Sequence, residues 1–281
     1  MKIGIIGAGK VGTTLGKYLC EKGIVLTGIY SRNTAHAKET AKFIGIEYYE
    51  ELKKLLDLSD TLFLATPDGE IGKVWDCMKE YDLQGKLICH FSGSLSSDVF
   101  ISYERTGATV CSVHPIYAFS NKFSAYQNFS KVRFTVEGEG ASLMKEFWAT
   151  LGHPVRLIKK EDKTKYHAAM SFASNHVLAL ISTAEKLLEE CGFQEQEAYQ
   201  TLEDIVLKNA ANGIQMGVVQ ALTGPIERND LGTIKKHLSV LSPQDIEIYR
   251  ALGQKLIGIA ALKNPERSYQ EMEEIIGGSK K

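Results

Sequence analysis

Three short runs in the 281-residue chain combine side chains able to move a proton or hold a small polar ligand. In Ser112-Val113-His114-Pro115-Ile116 the proline disfavours a helical conformation at His114, so the imidazole leaves a strand on an extended course. Its ordinary pKa suits proton transfer near neutral pH, although a histidine satisfied by backbone at a strand end would read the same. His90-Phe91-Ser92-Gly93-Ser94 follows another strand candidate and offers the hydroxyls of Ser92 and Ser94, to orient a ligand or to cap a helix. His167, Ser171 and Asn175 recur every four residues and so share one face of a helix, among small or apolar neighbours. Buried polar groups need partners, which a substrate or a neighbouring helix would supply. Lys165, two residues before His167, is a further proton donor candidate. Arg228, in the loop 222–230, has the fork geometry for a carboxylate; a surface pair with Asp230 is the plainer reading.

A second set of residues points to a dinucleotide. Gly7, Gly9 and Gly12 stand as G-x-G-x-x-G after a short β-branched run and before a helical segment, 13–22. The first glycine permits the turn, the second lets a pyrophosphate approach, and the third lets helix and strand pack closely. The pyrophosphate would sit on free N–H groups around Lys10 and Val11, at the positive end of the helix dipole. Past the second strand the turn Tyr30-Ser31-Arg32-Asn33 has no carboxylate for a ribose 2′-OH. Ser31, Arg32 and Asn33 suit a 2′-phosphate, which favours NADP(H) over NAD(H). Ala65, Thr66 and Pro67 end a strand at the sheet edge where such proteins bind ligands, on the ribose and nicotinamide path.

The elements positioning these residues alternate. Strand candidates at 2–6, 24–30, 45–49, 61–65, 86–90, 109–113, 132–136 and 154–158 are separated by helical patterns at 34–43, 49–56, 70–79 and 142–151. The expected class is α/β, a doubly wound, mainly parallel Rossmann-type sheet over 1–158, followed by an all-helical domain over 159–281. In the latter, helices are expected at 162–191, 195–222, 231–241, 243–263 and 265–276. A net charge of −1 speaks against nucleic acid or an anionic membrane as partner. No apolar run approaches a membrane span, and residue 1 leads straight into the first strand, so a cytoplasmic protein without a signal peptide is expected. The five cysteines scatter without a C-x-x-C pair and predict neither a metal site nor a disulfide framework. The long apolar helices suggest a homodimer through the helical domain.

Ala221 to Asp230, read as A-L-T-G-P-I-x-R-x-D and followed by His237-Leu238, resembles the C-terminal signature of a family of Rossmann-like NADP-dependent reductases similar to 6-phosphogluconate dehydrogenases. Tyr166-His167-Ala168-Ala169 and Ser174-Asn175 match it upstream. The resemblance covers essentially the whole chain and implies an alternative ketopantoate reductase branch, reducing a small 2-oxo acid for pantothenate and coenzyme A synthesis. Related groups imply two alternatives, a pyrroline-5-carboxylate-type imine reductase and a prephenate-type dehydrogenase, whose H-P motif His114-Pro115 resembles. The hydroxyacid dehydrogenase lysine four residues before the helix asparagine is replaced by Ser171, which leaves His114, His167 or Lys165 as proton donor. A non-catalytic NADP-binding regulatory protein is the reading outside enzymology.

Overall fold

The computed structural model describes residues 1–278. The chain forms two compact units, Met1–Ala173 and the segment from Ser174 onward. The first alternates strand and helix: β1 (Ile3–Ile6), α1 (Lys10–Glu21), β2 (Leu26–Tyr30), α2 (Thr34–Ile44), β3 (Tyr48–Tyr49), α3 (Leu52–Leu58), β4 (Thr61–Leu64), α4 (Asp68–Met78), β5 (Leu87–His90), β6 (Thr109–Ile116), β7 (Arg133–Gly138), α5 (Ala141–Thr150), β8 (Val155–Leu157) and α6 (Lys163–Phe172). The strands form one sheet in the order β3-β2-β1-β4-β5-β6-β7-β8, parallel except where β7 runs against β6. A doubly wound sheet is therefore present as expected, with a Rossmann order through β6.

Buried apolar side chains lie on both sheet faces. On one, Ile5, Phe63, Cys89 and Val113 pack under α1 and α5 with Phe134 stacked on Trp148 at 4.1 Å. On the other, Leu62, Ile88 and Val110 meet Trp75 of α4 and Phe100. Side chains alternate along a strand, so cross-strand partners share a face. That second face becomes polar toward the carboxyl end of β6. Register sets His90 opposite Ser112, Ser112 opposite Glu137, and His114 opposite Thr135. His90, Ser112, Glu137 and Thr135 are buried, as is Lys163 at the start of α6. β6 also runs three residues past its expected end. Pro115 falls beyond the last β5 residue, on a stretch paired only with β7, where a missing N–H is tolerated.

The second unit holds α7 (Asn175–Glu190), α8 (Glu195–Met216), α9 (Val218–Ala221), α10 (Leu231–Val240), α11 (Pro243–Lys263) and α12 (Gln270–Gly277). Its core is small: Ile226, Ile234, Ile257, Ala260, Tyr269, Met272 and Ile276. Ser242 caps α11 by accepting from the Asp245 N–H, with proline at the first helical position as expected.

Three expectations are corrected. The single helix expected over 162–191 is two, α6 and α7, parted at Ala173–Ser174. Ser174 adopts φ −129°, ψ −79°, which ends the helical path without glycine or proline to announce it. The helix expected over 195–222 likewise breaks at Gly217, whose φ of +82° suits glycine. The unit boundary falls after Ala173 instead of Ile158, because α6 stays with the sheet through buried Lys163 and the Tyr166 bond to His114.

Candidate active site

The glycine turn has the geometry its spacing demands. Gly7 has φ +115°, and a Cβ there would stand 2.5 Å from the Ala65 carbonyl oxygen. A Cβ on Gly12 would collide with the Gly7 carbonyl, whereas one on Gly9 would meet nothing within 4 Å. The first and third glycines are thus required by the protein's own packing and the second leaves room for a ligand. α1 starts at Lys10, three residues earlier than expected, so Lys10, Val11 and Gly12 form its first turn with their N–H groups free of intrahelical partners.

Gly7 and Gly9 line one side of a cavity of about 220 Å³; Ser31, Arg32 and Asn33 line another, and Ala65, Thr66 and Pro67 a third. Two features of this cavity were not visible in the sequence. Asn33 caps α2, its side-chain oxygen accepting from the His36 N–H at 3.2 Å, so its amide group is held by the backbone. Glu70 of α4 also reaches the cavity and pairs with Arg32 at 2.7 Å and with Lys73 at 2.9 Å. These cations hold the Glu70 carboxyl below its usual range. The turn itself lacks a carboxylate, but its arginine is aimed by one from another helix. Arg32 remains 71% exposed, free to present its other donors.

The second cluster surrounds the loop after β5. Ser92 and Ser94 both donate to the Asp68 carboxylate, at 2.7 and 2.9 Å, and the Ser92 oxygen accepts the Ser94 and Leu95 N–H groups. Ser92 thus caps its own turn, and both hydroxyls are held on a carboxylate. His90 accepts the Ser92 N–H on Nδ1 at 3.2 Å, and its Nε2 lies 3.2 Å from the Ser96 carbonyl, so Nε2 carries the proton. Burial, then Lys163, pushes His90 down to about 3. It is a neutral strut.

His114 and His167 converge on Gly93. A Cβ on Gly93 would stand 2.8 Å from His114 Nε2 and 2.5 Å from the His167 ring, so only glycine fits between the imidazoles. His114 Nδ1 lies 2.8 Å from the Tyr166 hydroxyl. Burial, with Lys163 and His167 adding to it, pushes His114 down to about 4. The expectation of an ordinary histidine pKa is therefore corrected: the ring is neutral at physiological pH. Burial also raises Tyr166 above its ordinary value.

The other expected residues fall elsewhere. Lys165 is on the exposed side of α6. Asn175 opens α7, past the break, and does not continue the line of His167 and Ser171; its side-chain oxygen accepts from Ser174 at 3.3 Å. Arg228 is exposed, and Asp230 is engaged as the cap of α10, accepting from the Thr233 N–H and hydroxyl. The signature loop knits the helical unit: Lys263 donates to the Leu222 carbonyl, Asn264 to the Glu227 carboxylate, and Tyr269 to the Glu227 carbonyl. Leu222, Pro225 and Ile226 also line an apolar cavity of about 320 Å³, beside a His237–Tyr249 bond of 2.8 Å. Tyr166, Lys163 and Asp68 were missed as site residues. Lys163, Tyr166 and His167 share one helix face at i, i+3 and i+4, a signal present in the sequence.

Comparison with known proteins agrees with the fold. Residues 1–115 match the family model of a Rossmann-like domain, and residues 132–256 match that of a domain of unknown function, DUF2520. The sheet of the first unit has a Rossmann-like fold. A provisionally assigned NADP oxidoreductase from Bacteroides fragilis is 23% identical, with a TM-score of 0.71 over 92% of this chain and 98% of that one. A reductive aminase from Aspergillus terreus, in complex with NADPH4, cyclohexanone and allyl amine, is 16% identical, with a TM-score of 0.65 over 95% and 99%. A pyrroline-5-carboxylate reductase from Coxiella burnetii is 14% identical, with a TM-score of 0.57 over 97% of each chain. Glucose-6-phosphate 3-dehydrogenase of Bacillus subtilis (strain 168) is 30% identical over 136 residues; the match spans 46% of this chain and 37% of that protein. The chain thus has a fold shared by an NADP oxidoreductase, by a reductive aminase and an imine reductase from Aspergillus terreus in complex with NADPH4, and by a pyrroline-5-carboxylate reductase. No helix among the described residues is long and apolar enough to cross a membrane.

Proposed function

We propose that the protein is an NADP(H)-dependent reductase of a small 2-oxo acid in the cytoplasm, with ketopantoate the leading candidate. The observation that carries this reading is the His114–Tyr166 pair, a 2.8 Å bond between α6 and β6 of the sheet that also presents the glycine turn and its cavity. Backbone N–H groups of the first turn of α1, around Lys10, Val11 and Gly12, hold the pyrophosphate of NADP(H). Ser31 and Arg32 receive the 2′-phosphate, and Ala65, Thr66 and Pro67 border the path to the nicotinamide. When bound, NADPH supplies the hydride to the carbonyl carbon.

The protein's own residues hold the substrate and move the proton. With Nε2 protonated, neutral His114 accepts from the Tyr166 hydroxyl on Nδ1 and presents Nε2–H beside Gly93. As an alkoxide develops, Nε2 gives up its proton to that oxygen while Nδ1 takes the proton of Tyr166, whose half-buried hydroxyl, held above its ordinary pKa, promptly regains a proton from solvent. The ring changes tautomer without becoming a cation, which its depressed pKa favours. Ser94, on the Asp68 carboxylate, orients the substrate from the other side of the loop. His167, against Gly93, is the second imidazole in reach, whereas Lys165 is turned to the surface.

The test is NADPH oxidation with a panel of 2-oxo acids, ketopantoate among them, and cyclic imines. Turnover of ketopantoate supports the specific reading; no turnover by protein that binds NADPH defeats it. Likeness in fold to a reductive aminase and a pyrroline-5-carboxylate reductase favours a second reading, reduction of a C=N bond, which turnover of the imines alone would select. NADPH binding with no substrate in the panel turned over would select a regulatory protein. The reading includes a homodimer formed through α7 and α8, whose apolar side chains the single chain leaves uncovered. Light scattering at micromolar concentration tests it, and a monomer there would refute it.

A further inference from the structure

Lys163 is 1% exposed, among the largest fully buried side chains in the protein. A buried ammonium is costly unless its donors are used. Among the described residues no carboxylate lies within 4 Å of its Nζ, and its hydrogen-bond acceptor is the Ser112 hydroxyl. Ser112 precedes His114 by two residues on β6, so both side chains point to the same sheet face, the face that α6 covers.

The groups around Lys163 come from every neighbouring element. β5 contributes His90, β6 contributes Ser112 and His114, β7 contributes Glu137, and the start of α4 contributes Asp68, with Cys111 on the far face of β6. Tyr166 and His167 stand three and four residues on along α6. Glu137 directs both carboxylate oxygens at Ser97, one toward the N–H at 2.7 Å and the other toward the hydroxyl at 2.9 Å. Asp68 is occupied by Ser92 and Ser94. Each acid is therefore committed to the loop after β5, and neither closes an ion pair with the ammonium.

We infer that Lys163 is a positioning residue of the proposed reductase site, which fixes Ser112 and places an unpaired positive charge beneath His114. The consequence falls on the imidazole. A cation held nearby in a water-poor layer disfavours a second one, so His114 stays a neutral donor and acceptor, the form the Tyr166 relay uses. Burial alone sets the larger part of this preference and Lys163 the next part. Lys163 itself is held down to about 8 by burial, against the pull of Glu137 and Asp68, so it remains charged across the neutral range.

This inference rests on the reductase reading only for its catalytic meaning; the charge relation can be measured without turnover. Histidine ring nitrogens are followed by NMR against pH in isotopically labelled protein, with His114 assigned by its loss in His114→Gln. In the wild type His114 is expected to titrate below pH 5. In Lys163→Met, a substitution of similar length without the charge, it is expected to titrate about one unit higher or more. A thermal melt confirms that the variant is folded, and Lys163→Gln serves in its place if the first is not. A wild-type His114 that titrates near 6.5, or one whose titration is unchanged in a folded variant, overturns the inference. A shifted His114 in a protein that turns over none of the panel leaves the inference standing and removes the reductase reading.

Discussion

The sheet unit covers its apolar surface with its own helices, and the helical unit leaves much of its apolar surface bare. Trp148, Phe134, Phe63 and Trp75 are almost fully buried in the former. In the latter α7 has no buried residue and α8 has only Ala198, while Leu178, Ile205 and Leu207 are each more than 60% exposed and Ile214 is 85% exposed. Isolated exposed apolar residues need no explanation, but an apolar helix pair of this length does. The same contrast holds for charge. The sheet unit encloses Lys163, Glu137 and His90, whereas Arg228, the charged candidate of the helical half, is exposed. Dry, fixed charges belong to the first unit, and uncovered apolar surface to the second.

The sharpest way to break the comparison is by paired truncations. Trp148→Ala should cost about 3–5 kcal/mol in denaturant unfolding, while Leu178→Ala should stay within about 0.5 kcal/mol in dilute monomer. A cost at Leu178 that grows with protein concentration would show α7 covered by a second copy. At the polar layer, His114→Gln should lower kcat about 100-fold, roughly 2.7 kcal/mol, and Tyr166→Phe by a similar factor. Lys165→Ala should change it less than about threefold; a larger loss would move the chemistry to the outer face of α6.

Acid should single out the sheet unit next. His90 and His114 are held in the folded state near 3 and 4, below the 6.5 of an unperturbed histidine. The unfolded chain therefore binds protons that the folded chain refuses, and stability falls as the pH is lowered from about 6.5 toward 4. Each histidine contributes on the order of 1 kcal/mol per pH unit within that window. Unfolding midpoints at pH 7 and 4.5 measure the loss, which His90→Gln should reduce; an undiminished loss would place the sensitivity elsewhere. The smallest effect concerns the cofactor: Arg32→Ala should weaken NADPH binding about tenfold and leave NADH unchanged. Equal losses for both would remove the 2′-phosphate from that turn.

Local geometry was legible from the sequence. Gly7, Gly9 and Gly12 do their work within a few residues of chain, and the cap at Ser242 reaches only three residues onward, so spacing alone exposes the turn and the start of α11. The alternation of strand and helix was readable for the same reason. Helical spacing failed where it was carried across Ala173–Ser174, since nothing in those residue types reports that the path ends. Asn175 was lost to the stripe there. Arg32 was readable as a cation in the right turn, but not as one aimed by Glu70, which lies 38 residues downstream.

By itself, then, the amino-acid sequence determined the doubly wound first half, the glycine turn, and the presence of imidazoles at 90, 114 and 167. Only the tertiary structure decided which of these are neutral, which face one another, and what lies beneath them. The register of β5, β6 and β7 set His90, Ser112 and Glu137 in one row, and the packing of α6 over that row buried Lys163 and brought Tyr166 to His114. Register and desolvation depend on residues far apart in the chain, and desolvation is what separates a site histidine from an ordinary one.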